Sequence, residues 1–173
     1  LLFTHPKLVL PSNTHNGLQK NLQESALHSR MQAKKKDSYF EQYDALVYGG
    51  FIMAGSINKS KWFLEKTNQW RNKKLAVFCV GASPEGAKEI DTVLHNVLTD
   101  EQCEYMKAFY CPGGLRYETM PTGLKLAMKA FASLMRKKKN KTEDEKAMAE
   151  MISHSYDIAD HKYITPIVEY LMS

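Results

Sequence analysis

Leu75-Ala76-Val77-Phe78-Cys79-Val80 is an unbroken apolar run between Lys74 and Gly81. Successive side chains of a strand point to opposite sides, so a strand wetted on one face alternates apolar and polar residues; a continuous run is dry on both. The run therefore predicts a central strand of a parallel sheet with helices on both faces. Its neighbours in sequence agree. Ala45-Leu46-Val47-Tyr48 is a second short apolar run, closed by Gly49-Gly50, and Lys107-Ala108-Phe109-Tyr110-Cys111 a third, ended by Pro112-Gly113-Gly114. Between them lie amphipathic stretches: one from Asn58 to about Lys73 carrying Trp62, Phe63 and Trp70, and one opening at Ser83-Pro84-Glu85. In the latter, Ile90, Val93, Leu94, Val97 and Leu98 recur at helical spacing.

Beyond the third run, Leu124, Ala127, Met128, Phe131, Leu134 and Met135 form an apolar stripe with Lys125, Lys129 and Arg136 turned away. Thr142 followed three residues later by Glu145 is a capping-box pattern and predicts a helix to about His154. Ile164, Ile167, Val168, Leu171 and Met172 predict a last helix with Pro166 in its first turn. Before Ala45, Leu8-Val9-Leu10 reads as a strand, Pro11 to Gly17 as a polar turn, and Leu18 to about Ala26 as a short helix.

Length and composition narrow the class. At 173 residues, 43% hydrophobic and 25% charged, the chain suits one globular domain spanning 1–173. Its apolar stretches reach about half a dozen residues, against ~18 for a membrane span, and no secretory leader pattern is present. These features predict a cytoplasmic protein. Cys79, Cys103 and Cys111 are odd in number and lack metal spacing, which predicts reduced thiols; His5, His15, His28, His95, His154 and His161 are scattered with no metal pattern. The net charge of +5 is concentrated in Lys34-Lys35-Lys36 and in Arg136-Lys137-Lys138-Lys139-Asn140-Lys141. Such runs attract nucleic acid, an anionic membrane or an acidic partner, or simply solvate a helix end. They are not interleaved with stacking aromatics, so nucleic acid is not expected.

In a right-handed parallel sheet the strands end at one edge, and ligands lie outside those carboxyl ends. Four loops therefore matter. Ser12-Asn13-Thr14-His15-Asn16 offers hydroxyl, amide and backbone donors before a helix, as a phosphate requires, although an ordinary capped turn has the same residues. The second loop holds Gly50, Phe51, Ile52, Met53 and Ala54, apolar groups on which a ring could pack, or else a buried connection. The third, Val80-Gly81-Ala82-Ser83-Pro84, has small residues that let backbone approach a flat ligand. The fourth, Gly113-Gly114-Leu115-Arg116-Tyr117, adds a cation and an aromatic, or a surface arginine and a core tyrosine.

The combination Tyr43-Asp44-x-x-Val47-Tyr48-Gly49-Gly50-x-Ile52-x-Ala54-Gly55-x-Ile57, Val80-Gly81-x-Ser83-Pro84 and Gly114-Leu115-Arg116-Tyr117 resembles the flavodoxin-domain family, in the branch of the bacterial menaquinone-dependent protoporphyrinogen oxidase. The resemblance runs from about Phe40 to the C-terminus and leaves the first forty residues divergent. It implies a doubly wound parallel five-stranded sheet in the order 2-1-3-4-5, helices on both faces, and an extra amphipathic helix after the last strand. It implies flavin mononucleotide (FMN) as cofactor, held by Ser12, Asn13, Thr14, His15, Asn16, Gly50, Phe51, Ile52, Met53, Ala54, Gly81, Ala82, Ser83 and Gly114. The family's phosphate turn, Ser/Thr-x-Thr-Gly-x-Thr, is kept here at Ser12, Thr14 and Asn16, with His15 in the glycine place and Gly17 in the last threonine place. A register starting at Leu1-Leu2-Phe3 would instead put Thr4-His5-Pro6-Lys7 in the turn and leave no phosphate motif.

The implied activity is electron transfer or oxidation of a reduced substrate, with a redox protein, a quinone or a porphyrin as partner. The chain's basic charge and extra helix match the oxidase branch and allow contact with the inner face of a membrane; the same stripe could equally pack on the sheet. The competing expectation is a cofactor-free interaction module, which the altered phosphate turn favours.

Overall fold

The computed structural model describes residues 9–10, 36–41, 43–53 and 55–173. Four strands lie side by side: β1 (Val9–Leu10), β2 (Ala45–Met53), β4 (Lys74–Gly81) and β5 (Met106–Pro112), with β3 (Ser56–Ile57) folded back on β2. β2, β4 and β5 are parallel, in registers that run from Ala45↔Lys74 to Phe51↔Val80 and from Leu75↔Met106 to Gly81↔Pro112.

β4 is central, as its apolar run predicts, and its two sides feed two cores. Leu75, Val77 and Cys79 join Leu46, Tyr48 and Met106 beneath Phe40, Phe63, Trp70, Val97 and Leu98. Ala76 and Phe78 join Ala45, Val47 and Cys111 beneath Ile167 and Leu171. The first layer is built from α1 (Ser38–Glu41), α2 (Lys61–Lys66) with a 3-10 turn (Thr67–Trp70), α3 (Glu89–Val97) and α4 (Asp100–Cys103). α4 opens on a capping box of Thr99 and Gln102. The second layer is α7 (Thr165–Met172), which has Pro166 in its first turn, where a missing N–H costs nothing.

Several expectations are corrected. The five-stranded parallel sheet in the order 2-1-3-4-5 is not what the described residues form: β1 runs antiparallel to β2, with Val9 opposite Leu46 and Leu10 opposite Ala45. The short helix read over Leu18 to Ala26 lies outside the described residues. β2 does not stop at Gly49-Gly50 but continues to Met53. A Cβ on Gly49 would lie 1.9 Å from Phe78 Cζ, and one on Gly50 2.9 Å from Ile57 Cγ2. Those glycines make room for neighbouring side chains rather than ending the strand. The turn to β3 carries Gly55 at φ +78°, a conformation that suits glycine. α2 starts at Lys61 instead of Asn58, because Asn58 closes the hairpin: its N–H donates to Phe51 O and its carbonyl accepts from Tyr48 Oη at 2.9 Å. α3 starts at Glu89 instead of Ser83, after Gly86 at φ +83° has turned the chain.

After β5 the chain builds a small unit of its own: β6 (Gly114–Leu115), α5 (Thr122–Lys137), α6 (Glu143–Met151) and β7 (Tyr156–Asp157), with β6 and β7 antiparallel. The capping box expected at Thr142 and Glu145 is present in both directions. Leu115, Ala132 and Ile152 are its buried centre, with Met120, Met128, Met135 and Met148 around them. The apolar stripe of α5 divides. Met128 and Met135 pack inward beside Ala132, whereas Leu124, Phe131 and Leu134 are exposed, as is Leu126.

Candidate functional site

The carboxyl ends of β2, β4 and β5 meet along one edge, because the parallel registers bring Phe51 beside Val80 and Gly81 beside Pro112. Phe51, Ile52, Gly81, Ala82 and Ser83 are all half-buried there. An edge of small and apolar residues with part of their surface in water is physically suited to a flat, largely apolar ring.

Two tyrosines hold this edge. Tyr110 Oη donates to Ser83 O at 2.9 Å and accepts from Ser83 N at 3.0 Å; Tyr156 Oη donates to Ala82 O at 2.7 Å. Desolvation by burial pushes both phenols up to about 12, so they remain protonated donors at neutral pH. Ser83 Oγ donates to Glu89 at 2.7 Å, and Gly113 N–H donates to Gly81 O at 2.9 Å. The backbone of the Gly81-Ala82-Ser83 turn is thus shaped by the protein itself. Neither tyrosine stood out in the sequence. Tyr110 is one residue of an apolar strand, and Tyr156 comes to Ala82 only through the pairing of β6 with β7.

The glycines have internal explanations. A Cβ on Gly81 would fall 2.4 Å from Tyr110 Oη, and one on Gly114 would fall 2.1 Å from Tyr156 O. The Cβ direction of Gly114 is therefore filled by the β7 backbone. Arg116 and Tyr117 are also engaged: Arg116 pairs with Asp157 at 2.9 Å, and buried Tyr117 donates to Ile152 O at 2.6 Å. The surface arginine and core tyrosine read as one alternative for this loop are what the fold contains. Met53 ends β2, and Ala54 lies outside the described residues. Ser12, Asn13, Thr14, His15 and Asn16 also lie outside them; the strand before them ends with Leu10 beside Ala45, at the opposite edge from Gly81.

Other chemistries find little support among the described residues. No group of three or more His, Cys, Asp or Glu side chains is placed to hold a metal ion. Cys79 and Cys111 are unpaired thiols pushed up to about 12 by burial, so neither offers a thiolate near neutral pH. A shallow cleft of about 540 Å³ is lined by Ile57, Lys59, Lys61, Leu64, Val97 and Thr99. It lies between β3 and the helix layer rather than among the turns after β4 and β5, and the acid and base on its rim, Glu65 and Lys61, form an exposed ion pair at 3.7 Å.

The family model described as a flavodoxin domain matches residues 15–144. The chain belongs to the flavodoxin domain family. The match covers β2, β4, β5 and the whole half-buried edge, and it extends through α5. It stops before Tyr156, so the hydroxyl that holds Ala82 comes from outside the matched flavodoxin segment. Comparison with curated proteins and with solved structures finds no match.

Proposed function

We propose that this flavodoxin-domain protein binds FMN and acts in electron transfer. One observation carries the reading: the family match spans the three parallel strands, and their ends converge on an edge whose residues suit an aromatic ring. Phe51, Ile52, Gly81, Ala82 and Ser83 would hold the ring, and Ser12, Asn13, Thr14, His15 and Asn16 the phosphate. The bound flavin supplies one- and two-electron chemistry, and the protein supplies orientation and a tuned polar surround. Here that surround is built from neutral tyrosine donors and the Ser83–Glu89 hydrogen bond. The finer reading is an oxidoreductase of the protoporphyrinogen oxidase type, with a quinone or porphyrin partner. It rests on the order Gly114-Leu115-Arg116-Tyr117 followed by a basic helix.

A second reading is a cofactor-free interaction module. It is favoured by three observations: Gly81 and Gly114 are each filled from within, Ser83 N–H is already bonded, and Leu10 ends at the edge opposite Gly81. Titration of the purified protein with FMN and separately with riboflavin, followed by flavin fluorescence, distinguishes the two. The FMN reading expects saturable FMN binding and weaker riboflavin binding, because only FMN carries the phosphate. Equal binding would remove Ser12 to Asn16 from the site, and binding of neither would establish the cofactor-free module.

A further inference from the structure

We propose that α5 docks the protein on an anionic lipid surface. The inference is independent of whether FMN binds. α5 has sixteen residues, Thr122–Lys137, and at about 100° per residue its apolar positions fall on two arcs. One arc, centred on Met128, Ala132 and Met135, is spent on the core shared with Leu115 and Ile152. The other runs from Leu126 through Ala130, Leu134, Ala127 and Phe131 to Leu124, roughly 160° of the helix. It faces outward: Leu126 is 71% exposed, Leu134 68%, Phe131 48% and Leu124 37%. Four large apolar side chains exposed on one arc form a patch of the kind that marks an interaction surface.

Charge selects the occupant. From Pro121 to Lys141 the chain carries Lys125, Lys129, Arg136, Lys137, Lys138, Lys139 and Lys141, and no acidic residue. Lys138 pairs with Glu145, and Lys141 donates to Arg136 O; Lys125, Lys129 and Arg136 flank the apolar arc on the side of Leu126, and Lys137 lies just inside that same border. A second copy seated on this face would bring like charge to like charge. Nucleic acid would leave the leucines and Phe131 in water. An anionic bilayer surface answers both: the apolar arc enters the acyl boundary while lysine stems reach back to the headgroups. At ~24 Å the helix lies in the plane of the surface; no described helix is long and apolar enough to cross.

Each leucine moved from water into the acyl boundary strengthens attachment roughly tenfold, and each lysine near an anionic leaflet roughly fivefold. The test is sedimentation of the purified full chain with vesicles of phosphatidylcholine alone and of phosphatidylcholine mixed with phosphatidylglycerol, at low and high salt. The proposal expects binding to the mixed vesicles, weakened by salt, and little binding to phosphatidylcholine. Leu126→Glu with Leu134→Glu, both at exposed positions, should lower binding by at least about tenfold with unchanged circular dichroism and melting temperature. Lys125→Gln with Lys129→Gln should weaken it on mixed vesicles only. Absence of wild-type binding to mixed vesicles at low salt would overturn the proposal, as would equal binding by the double glutamate variant. A dimer that this variant dissolves, seen by light scattering without vesicle binding, would assign the face to a second copy instead.

Discussion

Gly81→Ala tests whether the glycine at the candidate edge serves the protein's own packing or an approaching ligand. The new Cβ would lie 2.4 Å from Tyr110 Oη, 2.7 Å from Cε2 and 2.8 Å from Cζ. All three distances are below van der Waals contact, so the ring must move. Overpacking of this kind costs ~1–3 kcal/mol. The ring is also held by two hydrogen bonds to Ser83, at 2.9 and 3.0 Å, and losing them adds ~0.5–1.5 kcal/mol each. The expected loss is therefore about 2–6 kcal/mol in flavin-free protein, large against a total stability of ~5–15 kcal/mol. Urea unfolding of Gly81→Ala, Tyr110→Ala and the double variant measures it as a cycle. With Tyr110 truncated the added methyl meets no ring, so Gly81→Ala should then cost less than ~1 kcal/mol. If the substitution costs the same in both backgrounds, within ~0.5 kcal/mol, Gly81 does not serve Tyr110 and the packing explanation is wrong.

Tyr156→Phe removes the 2.7 Å bond to Ala82 O and should cost ~0.5–1.5 kcal/mol, with faster amide hydrogen exchange around Ala82 and Ser83; unchanged exchange would refute the contact. Tyr48, Tyr110 and Tyr156 are each pushed up to about 12 by burial, as are Cys79 and Cys111. The stability linked to these raised values is fully present below the ordinary values, ~8.5 for the thiols and ~10 for the phenols, and is lost as pH rises from there toward about 12. The urea midpoint should fall across that window together with the appearance of tyrosinate absorbance, and a steady midpoint would contradict the burial. Thr142→Ala removes the hydroxyl that accepts from Glu145 N–H at 3.2 Å and should cost about 1 kcal/mol, while Thr142→Ser should retain most of it; equal costs in urea unfolding would show that the cap is not made.

What was legible in the sequence is what local chemistry decides. The unbroken run at Leu75–Val80 gave away the central strand, because only a strand dry on both faces can be apolar at every position. Thr142 and Glu145 announced α6, because a capping box is a contact within four residues. Gly49 and Gly50 misled, since a glycine that ends a strand and a glycine that admits Phe78 or Ile57 are the same letter. The pairing of Gly114 with Asp157 was invisible for a different reason: it joins segments separated by two helices, and nothing in either segment names the other. The edge residues Phe51, Ile52, Gly81, Ala82 and Ser83 were found through the rule that parallel strands end together. The tyrosines that hold that edge were missed because they act across strands.

The unit that carries α5 is tied to the candidate edge by more than chain continuity. Ala82 packs against the same cluster as Ala132, Met128 and Met135, and its carbonyl receives the Tyr156 hydroxyl. A surface that holds α5 therefore fixes the orientation of the Gly81-Ala82-Ser83 turn, through side chains in contact rather than through a flexible linker. Two substitutions separate docking from edge geometry. Tyr156→Phe leaves the exposed arc of Leu126 and Leu134 untouched, so it should alter exchange at Ala82 while vesicle binding persists. The double glutamate variant removes docking and leaves the Tyr156 bond in place, so exchange at Ala82 should stay as in the wild type. If both variants changed both readouts, the edge and the docking helix would be one cooperative unit. If each changes only its own, the α5 unit orients the edge without governing its stability.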